Sequence, residues 1–217
     1  MDDRPRPHRP AKYADLTGFI DAATADGAQG ADAMSPSARA EIAAATAAVL
    51  VQTGRAAGPP DDDRFVALVD RVGIDTLAEL WRDSEPVSLP GALWALYLLR
   101  QWFHSSAEHV RLLWRHGSPL APADAVVAGV AEPGDASSLR AAADAILNGV
   151  YRGDVAVSLE RAAAVFRVMA EGRRDVCDSM SAGSDEHTAE QALADRNERV
   201  ATDLAAAAQC WRAGTLH

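Results

Sequence analysis

The sequence predicts an all-α protein: one compact domain of about eight to ten helices over residues 11–217, behind a flexible tail at residues 1–10. Three observations predict it. Apolar residues recur at spacings of three and four through most of the chain. Ser, Asp or Pro stands before most of these stretches and Gly after them, the order that opens and closes helices. No two neighbouring stretches alternate apolar and polar residues around a hairpin turn, so no sheet is expected.

Residues 1–10 carry Pro5, Pro7 and Pro10 among charged side chains, which denies them helical hydrogen bonds and reads as a solvated tail. A first short helix is expected from about residue 11 to 25, with Leu16, Phe19 and Ile20 on one side. Ser35 as N-cap and Pro36 as first helical residue open the next, which Gly54 is expected to close. Asp61, Asp62 and Asp63 precede Phe65, Val66, Leu68 and Val69. Consecutive carboxylates do not converge on one helix face, so this triplet reads as a favourable charge at a helix N-terminus rather than a metal site. A short helix with Ile74, Leu77, Leu80 and Trp81 follows Gly73.

Ser88-Leu89-Pro90-Gly91 opens the most apolar segment, residues 93–103, whose large side chains point in nearly every helical direction. A helix apolar all round is expected to be buried. Ser105-Ser106-Ala107-Glu108 fits a capping box and predicts a break, with a second helix running to Gly117. Pro122 and Asp124 start another helix that ends before Pro133. Asp135 caps a helix expected to stop at Gly149, and Gly153-Asp154 starts a longer one expected to end at Gly172. Ser184 opens the last and longest helix, which ends at Gly214. Its stripe of Leu193, Val200, Leu204, Ala207 and Trp211 is the face expected to be buried. Leu-Trp-Arg recurs at 80–82 and 113–115, and Cys-Trp-Arg stands at 210–212, each near a helix end. There a Trp can pack back while the Arg meets terminal carbonyls. Three short words do not make a repeat protein.

The net charge of −10 and pI near 5.0 withhold the phosphate attraction on which nucleic-acid binding rests. Residues 73–97 superficially resemble the helix-turn-helix of TetR-like repressors, but they carry Asp75, Glu79, Asp83 and Glu85 against Arg82 and are interrupted by Pro86. No nucleic-acid partner is expected. No apolar run approaches the length of a bilayer span, and residues 1–10 do not form a secretory signal, so a cytoplasmic protein without a membrane partner is expected. Cys177 and Cys210 lack neighbours at ligand spacing and read as free thiols packed as small apolar groups. Lysine occurs once, at Lys12, while alanine exceeds a fifth of the chain, which suggests a GC-rich genome.

Ser88-Leu89-Pro90-Gly91-Ala92-Leu93-Trp94 and Gly149-Val150-Tyr151-Arg152-Gly153-Asp154, the latter followed by Leu159-Glu160-Arg161-Ala162-Ala163, resemble segments of a group of small, uncharacterised actinobacterial proteins. The resemblance covers most of the chain after about residue 36. It implies an all-helical cytoplasmic protein and no activity or catalytic residue.

Candidate chemistry centres on the break near residue 105. His104, His109 and His116 cluster in sequence there, and Glu108 follows His104 by four residues, one turn along if the helix were continuous. No zinc signature is present, so no metal is expected. Arg100 falls between Leu93, Leu96 and Tyr97 in an apolar sector, where an unpaired charge is costly. It requires a carboxylate, helix-end carbonyls or an anionic ligand. Arg100, His104, Glu108 and His109 are therefore the candidate ligand-binding residues. Phosphate loops, dinucleotide glycine patterns and nucleophile elbows are missing, so no catalytic residue and no cofactor is assigned. The leading expectation is a noncatalytic helical interaction or scaffold protein with regulatory character. Its partner would be another protein or a second copy of itself, as in a homodimer. The alternative is a helical regulator or enzyme that binds a small ligand beside Arg100 and the histidines.

Overall fold

The computed structural model describes residues 35–57, 80–130, 135–152 and 154–217. The expected tail, the helix at 11–25 and the carboxylate triplet at 61–63 lie outside these residues. The chain divides into two units, residues 1–39 and 40–217. The described residues form seven helices and no strand, fewer than the eight to ten helices expected. They are α1 Pro36–Ala57, α2 Leu89–Ser105, α3 Ala107–Gly117, α4 Pro122–Ala128, α5 Ala136–Tyr151, α6 Val155–Asp178 and α7 Asp185–Ala213.

Most helix starts follow the capping logic of the sequence. Ser35 Oγ accepts from the Ala38 amide at 3.2 Å, and Ser88 Oγ from the Gly91 amide at 3.2 Å. Asp135 Oδ1 accepts from the Ser138 amide at 3.0 Å, and Ser184 Oγ from the His187 amide at 3.1 Å. The break at Ser106 is also present, but Ser106 makes no side-chain cap there and Glu108 turns to Arg111 instead, so the capping box does not form.

Glycine stops are less faithful. Gly214 ends α7 in the left-handed conformation at φ 71°, and Gly129 ends α4 at φ 81°. By contrast α1 runs past Gly54 to Ala57, α5 past Gly149 to Tyr151, and α6 past Gly172 to Asp178. Gly172 and Gly149 serve packing rather than termination. A Cβ on Gly172 would strike the Leu113 carbonyl of α3, and one on Gly117 would strike the Val168 carbonyl of α6. The two helices cross with their backbones in contact. A Cβ on Gly149 would meet Ser158 Oγ.

The helix buried nearly all round is α6, not α2 as expected. It packs against α2, α3, α4, α5 and α7. Val155, Leu159, Ala162, Ala163, Ala164, Val165, Val168, Met169 and Ala170 are all enclosed. Short alanine side chains let five neighbours approach one axis, and that is legible only once the neighbours are placed. On α2, Leu98 faces solvent while Leu93, Leu96, Leu99 and Phe103 are buried. Each enclosed Leu or Phe contributes on the order of 1.5 to 3 kcal/mol.

The buried stripe of α7 is rotated from the expected one. Ala194, Asn197, Ala201, Leu204, Ala207 and Ala208 face inward, whereas Leu193 is exposed and Val200 and Trp211 are half-buried. Alanines carry little apolar area each, but they bring α7 close along the length of α6. Three arginine–glutamate pairs reinforce that contact: Arg173–Glu190, Arg174–Glu198 at 3.5 Å and Arg212–Glu160, the last bidentate with Nη2 to Oε2 at 2.7 Å. Trp81 and Trp114 of the Leu-Trp-Arg words are fully buried, while the arginine of the third word goes to Glu160 rather than to a helix-end carbonyl.

Candidate functional site

The helices α2 and α5 run antiparallel: Tyr97 meets Tyr151, and seven residues further along α2 His104 meets Asp144. The Tyr97 and Tyr151 hydroxyls are 2.8 Å apart in the interior. Burial pushes the Tyr151 phenol well above its ordinary range, and the neighbouring Tyr97 adds to the effect, so Tyr151 is a neutral hydroxyl at physiological pH. Trp81 packs on Tyr97, with ring centroids 5.9 Å apart.

One turn towards solvent lies the partner that Arg100 requires. Arg100 Nε donates to Asp144 Oδ1 at 2.7 Å, and His104 Nε2 sits 3.0 Å from the same oxygen. The Arg100 side chain is 20% exposed and that of Asp144 34% exposed. This is a half-buried ion pair with a histidine on its open side. Arg100 and His104 share a face because they are four residues apart on an unbroken helix.

Glu108 and His109 do not join them. The backbone turns at Ser106, where φ is −130° and ψ 39°, so positions 104 and 108 no longer lie on one helix face. Glu108 pairs with Arg111 at 3.0 Å on the surface of α3, and His109 is exposed. The third histidine of the sequence cluster, His116, goes to α6, where Nδ1 lies 2.6 Å from Asp175 Oδ2. The four candidate residues thus divide into a pair that meets and a pair that does not.

Sequence reasoning missed three participants. Asp144 lies at the edge of the α5 apolar stripe of Leu139, Ala143, Ile146 and Leu147, a position that hints at a charge facing a neighbour without naming which. Arg173 is buried at the junction of three helices, bonded to Glu190 of α7 and 5.4 Å above the Trp102 ring of α2. Arg140 has its Nε enclosed with no acceptor. Nothing local in the sequence marks any of these, since each depends on what the next helix presents.

Elsewhere on the surface, a shallow open groove of about 380 Å³ between α6 and α7 is lined by Arg174, Asp195, Glu198, Arg199, Thr202 and Asp203. Three carboxylates and two guanidiniums largely offset one another there, and Arg174 is already held by Glu171 at 2.6 Å. Among the described residues no three His, Cys, Asp or Glu side chains gather as metal ligands. Cys177 is buried, which raises its thiol pKa, with Glu190 adding to the rise. No helix among the described residues is long and apolar enough to cross a membrane.

Helices α2, α3, α4, α5 and α7 thus pack on α6, with a polar seam between α2 and α5. No family model matches the chain, and neither a curated protein nor a solved structure matches it.

Proposed function

We propose that the chain is a noncatalytic helical interaction protein that engages a protein partner through the surface around α4. The observation that carries this reading is the exposure of three large apolar side chains within eight residues: Leu120 at 55%, Val126 at 66% and Val127 at 51%. Inward, Ala125 and Ala128 are buried. Arg167 holds Asp124 at 3.1 Å, and Arg161 donates to the Ala128 carbonyl at 3.1 Å. The helix is therefore fastened on one side and presents valines on the other. Adjacent exposed apolar residues of this kind mark interaction surfaces more often than scattered ones do. The setting we propose is the cytoplasm, with another protein or a second copy as partner and with neither nucleic acid nor membrane.

The test compares the full chain with a Val126→Ser, Val127→Ser double variant. Both substitutions lie on the solvent side and should leave the melting temperature unchanged. Size-exclusion chromatography with light scattering reads self-association, and quantitative affinity capture from the source cell reads other partners. Loss of one defined partner, or of a dimer, in the variant alone supports the reading. Equal behaviour of the two proteins refutes it.

A further inference from the structure

Beyond α7 the chain turns at Gly214 and reaches the N-terminal end of α2. The turn closes α7 on itself: the Gly214 amide donates to the Trp211 carbonyl at 3.0 Å, and the Thr215 amide to the Cys210 carbonyl at 2.9 Å. Leu216 and His217 go further. The Leu89 amide donates to the His217 carbonyl at 2.9 Å. Leu216 beside it is 7% exposed, whereas Thr215 and His217 on either side are exposed. The other leading positions of α2 are served locally. Pro90 has no amide proton, the Gly91 amide goes to Ser88 Oγ at 3.2 Å, and the Ala92 amide goes to the Ser88 carbonyl at 2.9 Å. The Leu89 amide therefore takes its acceptor from the far end of α7, together with an enclosed leucine.

We propose that residues 216–217 are a releasable strap over a peptide slot at the start of α2. The slot takes an extended segment of a partner protein that carries a leucine, with a backbone carbonyl one residue on. The seated strap displays what the slot recognises: one apolar side chain enclosed and one carbonyl on a helix-end amide. It also displays how little holds the strap in place. Release gives up that one side chain and that one hydrogen bond, while α7 keeps both bonds of its closing turn. At the pivot, Gly214 has φ +71° and no atom within 4 Å of the place a Cβ would take, so the chain turns in open space there. Tethered beside the slot, the strap competes with a partner segment at an effective concentration in the millimolar range, and so acts as an autoinhibitory contact. This inference does not rest on the α4 surface, and its failure would leave that reading intact.

The probe is the capped peptide acetyl-Gly-Thr-Leu-His-amide, titrated into the ¹⁵N-labelled full chain and into its Leu216→Asp variant, whose strap would have to bury a charge to sit in the slot. In the variant the Leu89 amide resonance should shift and saturate, with half-saturation at about tenfold less peptide than in the parent, where the strap fills the slot. The same peptide with aspartate in place of leucine should leave that resonance where it is. The circular dichroism melt reports whether Leu216→Asp is folded; should it not be, Leu216→Gly, which only removes the side chain, takes its place. The absence of a saturable shift at Leu89 in the folded variant, or equal half-saturation in variant and parent, overturns the proposal.

Discussion

Gly117 of α3 and Gly172 of α6 face each other across the crossing of their helices, each with its Cα against the other helix's backbone: a Cβ on either would fall on a carbonyl of the opposite helix. Neither carbonyl can swing away, because it belongs to a helical ladder. An added methyl must therefore push the two axes apart.

Gly172→Ala is expected to destabilise the protein although alanine is the better helix former by about 1 kcal/mol. Overpacking against backbone costs typically 1–3 kcal/mol or more, which outweighs that gain. For a chain of this length the net loss corresponds to a fall of a few degrees in melting temperature. A rise in melting temperature would show that the two helices can separate by the width of a methyl group without loss.

Leu204→Asp is expected to unfold or precipitate the protein, because Leu204 is 1% exposed against α6. Asp203→Asn beside it should change little. Leu193→Ser should also be nearly silent, since Leu193 lies outside the buried stripe that the sequence periodicity assigned to it. Thermal denaturation of the three variants checks the rotation of α7 directly; a large loss in Leu193→Ser would restore the original stripe.

Glu190→Ala strips the carboxylate from Arg173, whose side chain is 8% exposed. Breaking such a pair from one side typically costs about 3–5 kcal/mol, since the remaining charge stays enclosed. Packing over Trp102 does not replace the lost acceptor. Urea denaturation should show the loss, and a double variant with Arg173→Met should recover part of it. No recovery would mean that Arg173 contributes through packing rather than charge.

Acid should loosen the attachment of α7 before the core. The Arg212 guanidinium beside Glu160 holds its carboxyl below the usual range, and the Ser137 and Ser138 hydrogen bonds do the same for Asp135. A carboxylate depressed in the folded state binds fewer protons there than in the unfolded chain. Its stabilisation is therefore complete above the unfolded pKa, about 4, and is lost as pH falls through the lower folded value. In Glu160→Gln, melting temperature against pH should fall less steeply below about pH 4 than in the parent. Identical slopes would remove Glu160 from the acid response.

Cys177 and Cys210 should separate by reactivity. Burial raises the Cys177 thiol pKa and encloses the residue, so at pH 7 a thiol reagent should modify Cys210 first and Cys177 only on unfolding. Simultaneous fast labelling of both, read by mass spectrometry, would contradict the enclosure of Cys177.

Much of the local architecture was legible in the sequence alone. Ser35, Ser88, Asp135 and Ser184 opened helices where their side chains can reach an amide three residues on, and Gly214 closed α7 through a conformation that glycine adopts without strain. Capping involves only near neighbours in the chain, so a single sequence carries it. The need of Arg100 for an acceptor was legible for a similar reason: a charge in an apolar sector must be met.

The tertiary structure decided what met it. Asp144 stands 44 residues away, and its place beside Arg100 and His104 depends on the antiparallel register of α2 and α5, which no local pattern encodes. The same reasoning explains Gly172 and Gly149, which read as stops but lie inside helices. Whether a glycine ends a helix or admits a neighbour depends on whether another element crosses at that point. It also explains why the inward face of α7 follows its alanines rather than its larger side chains. Close approach to α6 between Glu190 and Arg212 rewards small groups on the contact line, and only the position of α6 identifies that line.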